Sequence, residues 1–165
     1  MEKLSIKGMI IGLSLLIPLL VNAQSIQPTV WSIRFSRENI DRNDTVTMYF
    51  IGQIPENLGV YATKYRCDYG PMPTKIVFIN ENNSYEVIDS AISVGDSVVF
   101  DPIFECTLRK FKHQAIIKQV IKVKEPDFEI QGQLEYQSCT EDMCLQYRIN
   151  FEAKGTKVIK VENTK

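Results

Sequence analysis

Two long alternating runs near the C-terminal end constrain this chain more than any other feature. In IQGQLEYQS, Ile130, Leu134 and Tyr136 share one parity, and in LQYRINF so do Leu145, Tyr147, Ile149 and Phe151. Successive side chains of an extended backbone point to opposite faces, so a period of two buries one face and leaves the other to solvent. The same period returns in VWSIRFS (Val30 to Ser36) and in TVTMYFI (Thr45 to Ile51). Further strand runs are expected at Val60 to Tyr65, Thr74 to Ile79, Tyr85 to Ile88, Ser97 to Phe100, Phe104 to Lys112, Ala115 to Lys124, Phe128 to Ser138, Leu145 to Ala153 and Thr156 to Val161. Between the runs stand PENLG, CDYGPMP, NENNS, SVGD and KEPD, whose Gly, Pro, Asn and Asp residues favour turns for backbone reasons. No segment carries an apolar stripe at helical spacing. Many short strands with regular punctuation predict an all-β fold, an immunoglobulin-like β-sandwich.

The first 23 residues stand apart from that pattern. Lys3 and Lys7 precede the apolar run MIIGLSLLIPLLV, and Val21-Asn22-Ala23 offers a cleavage site ahead of Gln24. This is the layout of a signal peptide, and the run is short for a spanning helix and contains Pro18. Residues 1–23 are therefore expected to be removed, and residues 24–165 to form one exported domain without a stable membrane anchor. Cleavage removes Glu2, Lys3 and Lys7, leaving 17 basic and 19 acidic residues, a net charge of 17 − 19 = −2. That balance offers no electrostatic basis for a nucleic-acid partner. About 140 residues can bury a core without relying on disulfides.

Chemistry concentrates in YQSCTEDMCLQY, where Cys139 and Cys144 flank Thr140-Glu141-Asp142-Met143. Alternation places Cys139 with Glu135 and Gln137, and Cys144 with Gln146, Arg148 and Asn150, so both sulfurs are expected on the polar side of a hairpin. A hairpin closed by four residues brings two such Cα atoms within disulfide range. The bridge would close a small ring, where the entropic stabilisation is least. It reads either as a staple or as a bond that can be cut and remade with the domain still folded. A zinc site would need two more ligands from Cys67, Cys106 and His113, and the usual C-x₂-C knuckle is absent. Cys106 shares parity with Phe104 and Leu108, which suits a buried thiol. A Cys67–Cys106 bridge is compatible with an exported chain, although no spacing rule calls for it.

Four stretches, VWSIRFS, GPMPTKIVF, DPIFECTLRKF and GQLEYQSCTEDMCLQYRINF, occur in order over most of the chain. Together they resemble the N-terminal periplasmic domain of DsbD, a thiol-disulfide interchange family. The pair here is more closely spaced than in the best-known members, and no proline follows the second cysteine. The resemblance implies an immunoglobulin-like fold and a periplasmic electron carrier without a cofactor or metal. It implies that Cys139 and Cys144 are the redox pair, with Cys144 forming the mixed disulfide and Cys139 resolving it. It further implies a thioredoxin-like or membrane DsbD-type electron donor, disulfide oxidoreductase clients, and a cap loop at Asp101 to Glu105 in which Phe104 shields the pair. Tyr61 and Tyr65 are candidates to line the site with Phe104. Asp101, Glu141 and Asp142 would add negative charge beside the thiols and raise their pKa. The competing expectation is a non-catalytic immunoglobulin-like binding or scaffold domain with an inert hairpin disulfide.

Overall fold

The computed structural model describes residues 28–79, 83–102 and 104–164, so the expected signal segment lies outside the described residues. The described strands are β1 (Val30–Phe35), β2 (Thr45–Gln53), β3 (Gly59–Tyr61), β4 (Lys75–Phe78), β5 (Tyr85–Val94), β6 (Ser97–Asp101), β7 (Cys106–Phe111), β8 (Gln114–Val123), β9 (Glu129–Cys139), β10 (Cys144–Lys154) and β11 (Lys157–Thr164). They form two antiparallel sheets, one of order β1-β2-β8-β5, the other β11-β10-β9-β3-β7-β6 with β4 also paired to β9. The architecture is the expected all-β, immunoglobulin-like sandwich.

Alternation explains how the layers close. Trp31, Ile33, Val46, Met48, Phe50, Ile117 and Ile121 bury the inner face of the first sheet, and Val60, Phe111, Ile130, Leu134, Tyr136 and Phe151 that of the second. Aromatic rings lock the layers together. Trp31 meets Tyr136 edge-on at 5.3 Å between centroids, and Phe50 meets Phe151 at 5.1 Å. Such pairs add to the stabilisation that burial of their apolar area already supplies.

β5 and β3 are among the strands that differ from their expected lengths, and both do so for reasons outside local propensity. β5 continues through the polar stretch Asp89-Ser90-Ala91 to Val94 because it is an edge strand that needs one partner, β8. Its register shifts between Ile88 and Ile92, a local bulge at which Asp89 adopts a φ of 55°. β3 stops at Tyr61 instead of running to Tyr65. Gly59 and Val60 pair with the end of β9, at Cys139 and Ser138, whereas Lys75 to Phe78 pair with the middle of the same edge, from Glu135 to Gly132. The chain between β3 and β4 must leave the sheet. Its neck is closed by hydrogen bonds from the Thr74 amide to the Ala62 carbonyl at 3.1 Å and from the Thr74 hydroxyl to the Tyr61 carbonyl.

Replacing Phe151 by Ala removes a ring that touches both Phe50 and Phe78 and should destabilise the domain by about 3–5 kcal/mol in denaturant titrations. Burial pushes the Tyr136 phenol up to about 12 from 10.0. The folded state thus holds this proton more tightly than the unfolded chain, so the associated stability is complete below pH 10 and falls as pH rises towards 12. Tyr136→Phe should make the alkaline loss of stability less steep, leaving the part that comes from Tyr61, Tyr65 and Tyr147, whose phenols are also raised.

Candidate functional site

Cys139 and Cys144 end β9 and begin β10 and stand directly opposite each other in the ladder. Inside the loop, the Thr140 amide donates to the Met143 carbonyl at 2.9 Å. The cysteines next to that hydrogen-bonded pair occupy a position where opposed Cα atoms come closest. Their Cα atoms are 4.1 Å apart, and the sulfurs are bonded. The Thr140 hydroxyl caps the turn, accepting from the Asp142 and Met143 amides at 3.3 and 3.1 Å. This ties the spacing of the two cysteines to a specific, self-contained turn.

Parity places both sulfurs on the outer side of the hairpin, but the two are not equally open, which corrects the expectation that both lie near the surface. Cys139 is 1% exposed, and Cys144 is exposed along with Met143 and Leu145. The reason lies in the excursion between β3 and β4. It folds back over the outer face of the second sheet, so Tyr61, Leu108 and Cys139 form a second small core with Tyr65, Cys67 and Cys106 packed against it. The Met72 amide donates to the Gln137 side chain at 2.8 Å, and the Tyr65 hydroxyl donates to the Pro71 carbonyl. Cys144 sits at the rim. Among the described residues β11 runs beside β10 from Arg148 to Lys154 and does not reach Cys144.

A second disulfide fastens this cover. Cys67 in the excursion is bonded to Cys106 at the start of β7, with Cα atoms 5.7 Å apart. Cys106 is therefore bridged and half-buried, which corrects the expectation of a buried thiol. A side chain at Gly70 would collide with the Cys67 sulfur and come within 2.9 Å of its Cβ, so the excursion can lie this close only with glycine there. The bridges differ in what they constrain. Chain-entropy arguments assign about 4 kcal/mol to a ring the size of Cys67–Cys106 and about 2 kcal/mol to one the size of Cys139–Cys144.

Phe104 lies in the β6–β7 turn and is 37% exposed as a residue, and its amide donates to the Asp101 carboxylate at 3.2 Å. The aromatic rings packed around Cys139 are those of Tyr61 and Tyr65, 5.9 Å apart. Asp101 belongs to the same neighbourhood, since its charge adds to burial in raising the Tyr61 phenol. Beside Cys139, a cleft of about 490 Å³ is lined by Leu58, Lys110, Lys112, Thr140 and the acidic Glu141 and Asp142. Burial lowers the Lys110 ammonium from its ordinary value, Lys112 lowers it further, and Asp101 and Glu141 pull it back up. Sequence reasoning did not single out Lys110, although its parity with Cys106 and Leu108 puts it on the outer face.

No protein-family model matches the chain, and no curated protein does. Among solved structures it is similar to the crystal structure of the N-terminal domain of DsbD from Neisseria meningitidis in the reduced form. The TM-score is 0.46 with 15% identity, over 73% of this chain and 84% of that one.

If the excursion is the cover over Cys139, the double variant Cys67→Ser/Cys106→Ser should lose up to about 4 kcal/mol in urea. After reduction, its Cys139 should be alkylated severalfold faster than in the wild type under native conditions. An unchanged alkylation rate would mean that the excursion holds its place without the staple.

Proposed function

We propose that this protein is a periplasmic thiol-disulfide exchange protein that relays electrons through Cys139 and Cys144 between a thioredoxin-like donor and client oxidoreductases. The observation that carries this reading is the asymmetry of one small disulfide, in which Cys144 is an exposed residue and Cys139 a buried one. A thiolate must approach a disulfide along the bond, from behind the sulfur it attacks. Of the two residues Cys144 is the exposed one and Cys139 is buried, which favours attack at Cys144.

A donor thiolate attacks the Cys144 sulfur, its lone pair forms the new S–S bond, and the electrons of the old bond leave on Cys139. The donor's second thiolate then attacks its own sulfur in the mixed disulfide and releases Cys144. The donor is oxidised by two electrons, and the pair is reduced by two. In the reverse sense, Cys144 attacks a client disulfide, and Cys139 resolves the adduct by re-forming the internal bond. In this reading the excursion with Tyr65 protects the resolving sulfur from small oxidants, and Phe104 on the β6–β7 turn, with Asp101 at the end of β6, is the proposed outer part of that cap.

The rival reading, an exported binding domain whose bridge pins the hairpin, draws on the burial of Cys139. The two separate in a reconstituted assay with a purified thioredoxin and its reductase. The wild-type protein should be reduced by thioredoxin, and Cys144→Ala should show background turnover only. The Cys139→Ala variant, with Cys144 first activated as its thionitrobenzoate mixed disulfide, should release thionitrobenzoate and form an adduct with a thioredoxin that lacks its resolving cysteine, and peptide mapping should place that adduct at Cys144. An adduct at Cys67 or Cys106, or no reduction of the wild type, would overturn the reading.

A further inference from the structure

The Lys110 side chain takes an unusual path. Lys110 is paired with Tyr61 across β3–β7, and Gly59, two residues before Tyr61, is paired with Cys139. A Cβ at Gly59 would collide with Lys110 Cε and lie 3.1 Å from Nζ. The lysine therefore lies across the bare main chain of Gly59, on the face used by the Cys139 side chain, in space that any other residue would fill. Its ammonium stands 5.6 Å from the centroid of the Tyr61 ring, and it shares the cleft beside the disulfide with Lys112 and Cys139.

We propose that Lys110 is the charge-stabilising residue for the Cys139 sulfur, holding its thiolate as the leaving group when Cys144 is attacked. This rests on the exchange function proposed above and names the group that gives the exchange its direction. When the old S–S bond breaks, its electron pair goes to Cys139, and a negative sulfur appears in a sheltered place where an uncompensated charge is costly. An ammonium already held there lowers that cost, and a better leaving thiolate departs faster. The electrostatics of the site have the matching sign. Burial and Lys112 destabilise the Lys110 charge, so the ammonium gains from a new anion beside it. The other charged groups facing the cleft are Glu56, Glu141 and Asp142, with Asp101 acting from the end of β6. These acids oppose the thiolate, and Lys110 and Lys112 offset them.

The test needs no physiological partner. In the Cys144→Ala background Cys139 is the sole free thiol, and its ionisation can be followed by thiolate ultraviolet absorbance. It should titrate below the ordinary value of about 8.5 for a free cysteine. Lys110→Met should raise the midpoint by about one pH unit, and Lys110→Arg should largely keep it low. In the otherwise native protein, Lys110→Met should slow reduction of the Cys139–Cys144 bond by a small monothiol about threefold to tenfold. Lys110→Gln, with circular dichroism as a check on folding, covers the case in which the Met variant fails to fold. An unchanged Cys139 midpoint in both neutral variants overturns the role of Lys110 and leaves the exchange reading standing. A wild-type bond that resists the monothiol while folded overturns the exchange reading, and the Cys139 titration still decides on Lys110.

Discussion

Everything at the site follows from how one edge of β9 is shared. β3 takes the end of that edge and β4 its middle, and both are too short to occupy the other's place. The residues between them are thus expelled from the sheet and have one place to go, the outer face beside Cys139. In an ordinary sandwich that face meets water. Here it acquires a second small core, and one sulfur of the hairpin disulfide becomes an interior atom while its partner stays at the rim. The staple from Cys67 to Cys106 makes the displacement permanent by joining the excursion to β7.

The two disulfides divide the work. The wider ring removes more freedom from the unfolded chain and so carries the larger share of stability. The smaller ring adds less and bridges residues that backbone pairing and the Thr140 cap already hold opposite each other. Pairing along β9–β10 continues from Cys139/Cys144 to Glu129/Lys154, so the ladder does not depend on that bridge alone. The shelter over Cys139 has an electrostatic cost whenever that sulfur ionises, and Lys110, laid over Gly59, sits where it can offset that cost.

Much of this was legible in the sequence. The period of two in VWSIRFS, TVTMYFI and the two C-terminal runs specified the strands and their inner faces, because burial on one side of a pleat leaves little freedom of register. The facing of Cys139 and Cys144 across a four-residue loop followed from the same alternation. What escaped was tertiary. Val60 to Tyr65 reads as a continuous strand, and no local signal tells that β4 will claim the rest of the edge. Parity says on which side Cys139 lies, but not that Tyr61, Leu108 and Tyr65 will cover that side. The Cys67–Cys106 bridge could not be read from spacing, because it joins a turn to a strand 39 residues away. Phe104 drew attention as an aromatic in the expected cap, whereas the rings packed against Cys139 come from the chain on either side of the neck.

The central claim is that the hairpin disulfide can be opened while the sandwich stays folded. Native-state reduction with a dithiol, followed by alkylation and mass mapping of all four cysteines with circular dichroism on the same sample, tests it most directly. The account predicts label at Cys139 and Cys144, none at Cys67 and Cys106, and an unchanged β-sheet spectrum. Label at all four only after denaturant, or loss of the spectrum as the first bond opens, would contradict it.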